Sequence, residues 1–384
     1  MNETAPKKPN LLLRLLALLV TAALVVGALL LVVYRDRFNL DAVKRWLSYR
    51  TLQTSDTGEA VPFTHAGGEK FSAAYLEDGI LTASTTGAHY YSFSGADYAE
   101  DIRSMENPVL SACARAGVVY DAGGETLALF RNAEEARSIK LDSGSLFSAR
   151  TNNSGWLAVT AQQSGYKGAV TVYNSAGKEV IQILLSSTFA VDAAISPDCK
   201  TVAVVTIGQE NGTFSSKVLF YPVNKQEPRV QASLGNTTVL DLDYESGTLW
   251  AVGENQLSIV SDSDGSVQTY AFDRSYLKGC ALGGDGFALL LLGRYRAGSA
   301  SRALVIGGDG LALAELPLSS QVLDFDAAGS YCSLLTGSAL TIYTKDLAQY
   351  ARLDSVQGAR TTALSADGSA LLADDQEVWL YIPS

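Results

Sequence analysis

The sequence predicts an all-β fold, a β-propeller of eight four-stranded blades, preceded by one transmembrane helix and a short juxtamembrane helix. Three observations predict it: a 20-residue stretch without charge near the N-terminus, a pattern that recurs eight times, and a last unit that is one strand short. We expect a cytoplasmic tail over residues 1–14, a transmembrane helix over 15–34, a juxtamembrane helix and linker over 35–59, and the propeller over 60–384.

The candidate transmembrane helix runs from Leu15 to Tyr34. Twenty helical residues cover about 30 Å, the hydrocarbon thickness of a bilayer. The stretch is longer than the apolar region of a signal peptide and runs straight into Arg35, so we expect an uncleaved anchor. Three Lys and Arg precede it and five follow up to Arg50, a count that alone would place the C-terminal domain in the cytoplasm. Because a short basic tail tends to stay inside and long domains are translocated largely regardless of charge, we expect an extracytoplasmic propeller.

A short helix is predicted over residues 39–50, directly after the anchor. Asn39 suits the N-cap and Asp41 the first turn, where the helix dipole favours a carboxylate. The apolar residues of one face are Leu40, Val43 and Leu47. The basic residues able to reach phosphate headgroups are Lys44, Arg45 and Arg50. A helix lying on the membrane and a solvated linker helix both fit this pattern.

The N-terminal segment of the chain is basic, and the remainder is acidic. Residues 1–50 carry eight basic and three acidic side chains, whereas residues 51–384 carry 21 and 37. An acidic domain is repelled by phosphate backbones, so we expect no nucleic-acid partner.

The recurring pattern is a strand, a tight turn and a more apolar strand. The turn position holds, in order, Gly79, Gly117, Gly155, Cys199, Gly247, Gly286, Gly329 and Gly368. A second column of large apolar residues keeps the same register: Phe93, Phe130, Tyr173, Tyr221, Val260, Ile306, Tyr343 and Tyr381. The mean spacing near 41 residues is typical of four-stranded propeller blades.

The last unit has only three predicted strands before the chain reaches Ser384. Residues 60–64 form a spare strand at the other end of the propeller region, and Pro62 is tolerated on an outer edge. We therefore expect the N-terminal strand to complete the last blade and close the ring. Eight blades follow, or seven if the weakly patterned unit over residues 71–104 is distorted.

Two segments, SPDCKTVAVV at 196–205 and SADGSALLA at 365–373, resemble the Ser-x-Asp-Gly turn of WD40-like and related bacterial propeller repeats. The Gly-His and Trp-Asp pairs of true WD40 repeats are missing. The anchor, the NLDAVKRWLSYR segment and the propeller together resemble an uncharacterised family of single-pass membrane proteins of Gram-positive bacteria, a domain of unknown function. This resemblance implies a membrane-anchored propeller and brings no catalytic residues.

Residues with catalytic or ligating chemistry are few. The two histidines, His65 and His89, have no partner motif, and we assign no catalytic, cofactor-binding or metal-binding residue. Asp262–Gly265 and Gly307–Gly310 fall where hairpin turns are required, which favours turns over calcium loops. Four cysteines lie in four different units, too far apart to pair, so we expect free thiols: Cys113, Cys199, Cys280 and Cys332.

A candidate binding face comes from three lengthened loops between second and third strands, at residues 162–168, 207–216 and 294–301. In a propeller such loops leave one face beside the channel. Aromatic and Arg side chains are enriched at binding hot spots. The candidate binding residues are Tyr166, Lys167, Glu210, Asn211, Phe214, Arg294, Tyr295 and Arg296.

Three functions stay open. The first is a membrane-tethered, extracytoplasmic, non-catalytic binding or scaffold module for a protein, peptide or cell-envelope ligand. The alternative is a cell-surface hydrolase or lyase that acts on glycans through carboxylates of the central channel, which requires two carboxylates about 5–10 Å apart. The third is a purely structural or assembly role, which predicts no concave site.

Overall fold

The computed structural model describes residues 16, 18–22, 25 and 40–383, except residues 135, 142, 143, 211 and 357. The chain divides into two compact units, Met1–Arg50 and Thr51–Ser384. Among the described residues, no helix is both long enough and apolar enough to cross a membrane. Most of the predicted transmembrane segment over 15–34 lies outside the described residues, as does the predicted tail over 1–14.

In the first unit, helix α1 spans Leu40–Tyr49. Its N-terminal turn holds Asp41, and Lys44 Nζ lies 3.1 Å from Asp41 Oδ1. The predicted apolar stripe of Leu40, Val43 and Leu47 is exposed. Arg45 is only 2% exposed and lies four residues before the buried Tyr49, on the same face of the helix.

The second unit contains eight four-stranded antiparallel sheets, which we number as blades 1–8 in chain order. A short N-terminal strand, β1 (Phe63–Thr64), precedes them. Blade 1 consists of β2 (Ser72–Leu76), β3 (Gly79–Ser84), β4 (Gly87–Ser92) and β5 (Asp97–Asp101). Blade 2 consists of β6 (Pro108–Cys113), β7 (Ala116–Asp121), β8 (Thr126–Phe130) and β9 (Arg137–Lys140). Blade 3 consists of β10 (Leu146–Thr151), β11 (Leu157–Ala161), β12 (Gly168–Tyr173) and β13 (Glu179–Leu185). Blade 4 consists of β14 (Phe189–Ile195), β15 (Thr201–Glu210), β16 (Thr213–Pro222) and β17 (Val230–Gly235).

The second half repeats the same antiparallel order. Blade 5 consists of β18 (Val239–Glu245), β19 (Thr248–Gly253), β20 (Gln256–Ser261) and β21 (Val267–Ala271). Blade 6 consists of β22 (Tyr276–Gly284), β23 (Phe287–Gly293), β24 (Arg302–Gly307) and β25 (Ala312–Pro317). Blade 7 consists of β26 (Val322–Ala328), β27 (Tyr331–Thr336), β28 (Ala339–Thr344) and β29 (Gln349–Asp354). Blade 8 consists of β30 (Thr361–Leu364), β31 (Ala370–Ala373), β32 (Glu377–Tyr381) and, outermost, β1.

The ring closes as predicted, with β1 paired to β32 in blade 8. The innermost strands β30 and β2 also contact each other, which joins blade 8 to blade 1. The prediction of eight blades is confirmed, and residues 71–104 contain a regular blade. The closing strand is shorter than the predicted 60–64 because Pro62 has no N–H and Val61 donates its N–H to Gln53 O at 3.3 Å instead.

The glycine column marks the turn between the first and second strands of the blades. From Gly155 to Gly368 the column residue has a φ of 57–83°, a left-handed backbone conformation that suits glycine. Cys199 takes the glycine place in blade 4 with a φ of 58°. Its turn is held by Ser196 Oγ, which accepts the backbone N–H of Lys200 and of Thr201.

The apolar core consists of layers between successive blades rather than one central cluster. Second strands are therefore buried on both sheet faces, and the whole of β23 is buried. This explains why second strands are continuous apolar runs, whereas outermost strands such as β25 alternate in exposure. The first strands of neighbouring blades contact each other, so they surround the centre of the ring.

Candidate functional site

The second-to-third loops leave the ring at one end, because strand direction repeats from blade to blade. The loops at 162–167 in blade 3 and 294–301 in blade 6 connect the expected strands. The predicted loop over 207–216 is instead a β-hairpin, paired from Thr201↔Pro222 to Glu210↔Thr213. Gly212, just before β16, has a φ of 79°, a left-handed backbone conformation that suits glycine in a tight hairpin turn. The polar composition of the segment concealed this pairing.

The predicted binding residues differ in their surroundings. Tyr295 is 76% exposed, and Tyr166 is also exposed. Phe214 is half-buried within the hairpin. Lys167 Nζ donates to Ser187 O at 3.0 Å and lies 5.0 Å from the centre of the Phe189 ring, a cation–π contact that joins blades 3 and 4.

The rest of the predicted set is split by position. Arg294 and Arg296 are exposed beside Tyr295 in blade 6. Blade 5 lies between this loop and the blade 4 hairpin. The candidate residues of blade 6 therefore lie apart from those of blades 3 and 4. Asn211 and the side chain of Glu210 lie outside the described part of the chain.

A structural feature that the sequence did not predict recurs in the first strands of blades 3–7. In each of these five blades the pairing of the first with the second strand skips one residue near the loop end. The bulged residues, which we call the bulge arc, are Phe147, Val191, Leu240, Lys278 and Leu323. A bulge turns one side chain out of the regular alternation. Leu240 is 57% exposed, and Phe147 and Leu323 are exposed as well. The bulge arc is therefore apolar except for Lys278 of blade 6.

A polar layer lies directly behind the bulge arc. The residues immediately after the bulges are Ser148, Asp192, Asp241, Gly279 and Asp324. Asp241 pairs with Val252, one residue before the second strand ends at Gly253. In blades 3 and 7, too, the residue after the bulge pairs with the residue just before the end of the second strand. Both the bulge arc and the polar layer therefore lie at the end of the ring from which the predicted loops leave.

Arg150 of blade 3 forms ion pairs with two carboxylates of this polar layer, those of Asp192 and Asp241. Its Nε donates to Asp192 Oδ2 at 2.8 Å, its Nη1 to Leu242 O at 2.9 Å, and its Nη2 to Asp241 Oδ1 at 2.7 Å. Asp192 Oδ1 accepts the Ser148 hydroxyl at 2.6 Å. Although burial opposes the charge, the carboxylates of Asp192 and Asp241 raise the pKa of Arg150. One guanidinium thus joins blades 3, 4 and 5.

The channel carboxylates of blade 7 hold backbone groups at both oxygens. Asp324 accepts the N–H of Phe325 at 2.9 Å and of Thr362 at 2.8 Å. Asp326 accepts the N–H of Ala327 at 2.8 Å and of Leu364 at 2.7 Å, so both residues join blade 7 to β30 of blade 8. Burial raises the pKa of Asp326 to about 7.

A further channel carboxylate, Asp243, lies two residues after Asp241 in blade 5. Burial raises its pKa to about 6. The pentapeptides 239–243 (VLDLD) and 322–326 (VLDFD) share one pattern. That repeated Asp-x-Asp pattern is the sequence signal that would have pointed to the channel layer.

The histidines and cysteines sit in structural positions. The His65 ring nitrogens lie 3.0 and 3.1 Å from the carbonyl oxygens of Ala66 and Asp374. His89 stacks on Tyr91 with ring centres 5.6 Å apart. The prediction of four free cysteines is confirmed, and burial raises the pKa of Cys332 to about 12. In the described ranges no group of His, Cys, Asp and Glu is arranged to hold a metal ion.

Comparison with solved structures identifies the architecture. The C-terminal WD40 domain of Sif2 is similar with a TM-score of 0.60 and 11% identity, covering 84% of this chain and 99% of that domain. The computationally designed Ika8 protein is similar with a TM-score of 0.58 and 11% identity, covering 83% and 97%. At this identity the likeness shows the fold alone. The model of a family of unknown function, DUF5711, matches residues 48–352. No curated protein matches the chain.

Proposed function

The chain belongs to the DUF5711 family of unknown function, and we propose that it is a membrane-tethered, extracytoplasmic, non-catalytic binding module for a protein, peptide or cell-envelope ligand. One observation carries the proposal. Exposed aromatic and apolar side chains of the loops and the bulge arc lie at one end of a closed ring, and the side chains of Arg150, Asp192 and Asp324 behind them are bonded within the protein.

The binding face that we propose combines the predicted loops with the bulge arc. Tyr166 and Tyr295 stand on the loops, and Phe147, Leu240 and Leu323 surround the channel mouth. Burial of one such side chain contributes about 1.5–3 kcal/mol relative to exposure. A partner that covers the face therefore gains the apolar contacts that this end of the ring leaves unused.

The bonding of the channel carboxylates favours binding over catalysis. A glycosidase needs one carboxylic acid free to give a proton and a second carboxylate free to attack or to activate water. Asp324 and Asp326 instead accept backbone N–H groups at both oxygens. Asp192 and Asp241 hold the Arg150 guanidinium. These contacts support a structural role for the four carboxylates.

The membrane tether in this proposal is the uncharged segment over residues 15–34. Helix α1 supports it, because Leu40, Val43, Trp46 and Leu47 are all exposed, which suits an amphipathic helix in the interface. The acidic propeller is repelled by anionic headgroups, so we expect that it does not lie flat on the lipid surface.

The face is tested by site-specific photo-crosslinking in cells. A photoreactive residue at Tyr166 or Tyr295 should form crosslinked adducts, whereas one at Tyr98, an exposed tyrosine on the outermost strand of blade 1, should not. Replacing Tyr166, Phe214 and Tyr295 together by Ala should abolish the adducts formed from a probe at Leu240. Unchanged adducts from Leu240, or equal adducts from Tyr98, would overturn the proposed face.

The orientation is tested by thiol labelling of intact cells with a membrane-impermeant maleimide. Ser299→Cys in the exposed blade 6 loop should be labelled above the background of the unaltered chain. Lys8→Cys in the N-terminal tail should be labelled only after permeabilisation. The opposite pattern would place the propeller in the cytoplasm.

A further inference from the structure

A separate concavity lies at the outer rim of blade 8, where the ring closes. Its volume is about 660 Å³, within the range of ligand sites. The wall consists of residues 53–55 and 59–62 on one side and of Ser355, Asp374, Glu377 and Trp379 on the other. We call this concavity the closure groove.

The closure groove exists because the closing segment leaves β32 for two residues. Phe63 pairs with Val378, and the N–H of Ala60 bonds Leu380 O at 2.8 Å. Between these contacts, Val61 bonds Gln53 and Pro62 has no N–H to give. The chain therefore stands away from the sheet beside Trp379.

The lining is acidic and has one aromatic ring. Glu59, Asp374 and Glu377 contribute carboxylates, and the described lining contains no Lys, Arg or His. Asp374 Oδ1 accepts hydrogen bonds from the backbone N–H groups of Gln376 and Glu377. Trp379 is half-buried, packing on the apolar layer between blades 7 and 8 while it lines the groove.

We propose that the closure groove binds a Lys or Arg side chain of an extended, positively charged peptide from a protein partner. Trp379 lines the groove, and an indole ring attracts cations more strongly than the other aromatic side chains do. Glu59 and Glu377 supply opposite charge, and a peptide cation would be the only basic group in the lining. A neutral sugar would gain the stacking on Trp379 but would form no ion pair with the carboxylates.

The site is independent of the binding face proposed above. The groove is built from blade 8 and the closing segment, whereas the predicted loops belong to blades 3, 4 and 6. Because the second-to-third loop of blade 8 holds Asp374, the groove opens at the rim of the same end of the ring. A partner that covers this end could therefore engage both sites, yet each can fail without the other.

The test is calorimetric titration of the full-length chain in detergent with a capped hexapeptide of alternating lysine and glycine. The wild-type chain should bind it, and the glutamate–glycine counterpart should not bind. Trp379→Leu, which keeps an apolar side chain, should weaken binding two- to fivefold, since an exposed cation–π contact is worth roughly 0.5–1 kcal/mol. Glu377→Gln should weaken it by about twofold, within the range of an exposed ion pair.

The matched control is Glu179→Gln, an exposed glutamate on the outermost strand of blade 3. Its affinity should equal that of the wild type. An equal loss in Glu179→Gln and Glu377→Gln would mean general attraction to an acidic domain and would overturn the proposal. Unchanged binding by Trp379→Leu would do the same, as would Trp379-dependent binding of a neutral oligosaccharide without peptide binding.

Two further variants distinguish loss of binding in the closure groove from loss of folding and from binding at the loop face. If Trp379→Leu lowers the melting temperature, Trp379→Phe keeps an aromatic ring with weaker cation attraction and should still weaken binding. Replacing Tyr166 and Tyr295 by Ala should leave peptide affinity unchanged. Loss of peptide binding in that double variant would assign the peptide to the loop face and remove it from the closure groove.

Discussion

Replacing Arg150 by Met is the perturbation that best tests the account of the channel. The substitution keeps the aliphatic stem and removes the guanidinium, which bonds Asp192, Asp241 and the Leu242 carbonyl. Two carboxylates that both contact Arg150 Nη2 would then face each other without a cation. The destabilisation should therefore come mainly from the two carboxylates left without a cation, rather than from lost packing.

The expected loss in the free energy of unfolding depends on how deeply the ion pairs of Arg150 are buried. Removing one partner of a fully buried ion pair costs about 3–5 kcal/mol. The Arg150 side chain is 26% exposed and that of Asp241 is 37% exposed, so solvent screening lowers the expected loss to about 2–3 kcal/mol. For a domain of about 330 residues this corresponds to a fall in melting temperature of about 3–4 °C, from an unfolding entropy of about 2.1 cal/mol/K per residue.

The assay is thermal and urea unfolding of wild type, Arg150→Met and a matched control, Arg352→Met. Arg352 bonds Asp354 at 2.8 Å, but both side chains are largely exposed, so its loss should cost at most about 1 kcal/mol. Adding Asp192→Asn and Asp241→Asn to Arg150→Met removes the stranded charges and should recover most of the loss. Equal melting temperatures for Arg150→Met and Arg352→Met would refute the reasoning, as would a lack of recovery in the triple variant.

Three further predictions concern the channel and a turn. Burial raises the pKa of Asp326 to about 7, above an unfolded value near 3.9, so its stabilising contribution is present at low pH and is lost as pH rises. In urea unfolding, the decline in the free energy of unfolding between pH 5.5 and 8 should be about 2 kcal/mol smaller in Asp326→Asn than in the wild type. Cys199→Gly should raise the free energy of unfolding by up to about 1 kcal/mol, because glycine relieves the left-handed backbone at φ 58°. Leu240→Ala should change the free energy of unfolding by less than about 0.5 kcal/mol, since the side chain is exposed, but should lower crosslinking from a probe at Tyr295.

The ring was predictable from sequence because its information is local. Each blade needs a tight first turn and an apolar second strand, and these recur at a mean spacing near 41 residues from Gly79 to Gly368. The three predicted strands of the last unit and the spare strand over residues 60–64 predicted the closure, which the pairing of β1 with β32 confirms. The number of blades follows from counting units, which needs no knowledge of contacts between distant residues.

The candidate site was only partly predictable. Tyr166 and Tyr295 stand on loops whose length is visible in the sequence. The hairpin over 201–222 was misjudged because polar residues of an exposed hairpin extension have no alternating apolar pattern to reveal them. The contacts of Arg150 join residues 42 and 91 positions apart, and no periodicity within one blade encodes them.

The bulges explain why the site escaped prediction and why it is coupled to stability. An extra residue shifts the alternation of the strand by one, so a pattern that assumes regular pairing assigns Leu240 and Asp241 to the wrong sides. The same shift exposes Leu240 at the channel mouth and directs Asp241 to the guanidinium of Arg150. Because the bulge recurs in five successive blades, the apolar arc and the polar layer are built together. A substitution that abolished the bulge of blade 3, 5 or 7 would therefore remove an apolar contact from the binding face and a hydroxyl or carboxylate from the bonded layer in one step. Separating the two effects requires changes to side chains alone, and for this reason Leu240 and Arg150 are the informative positions.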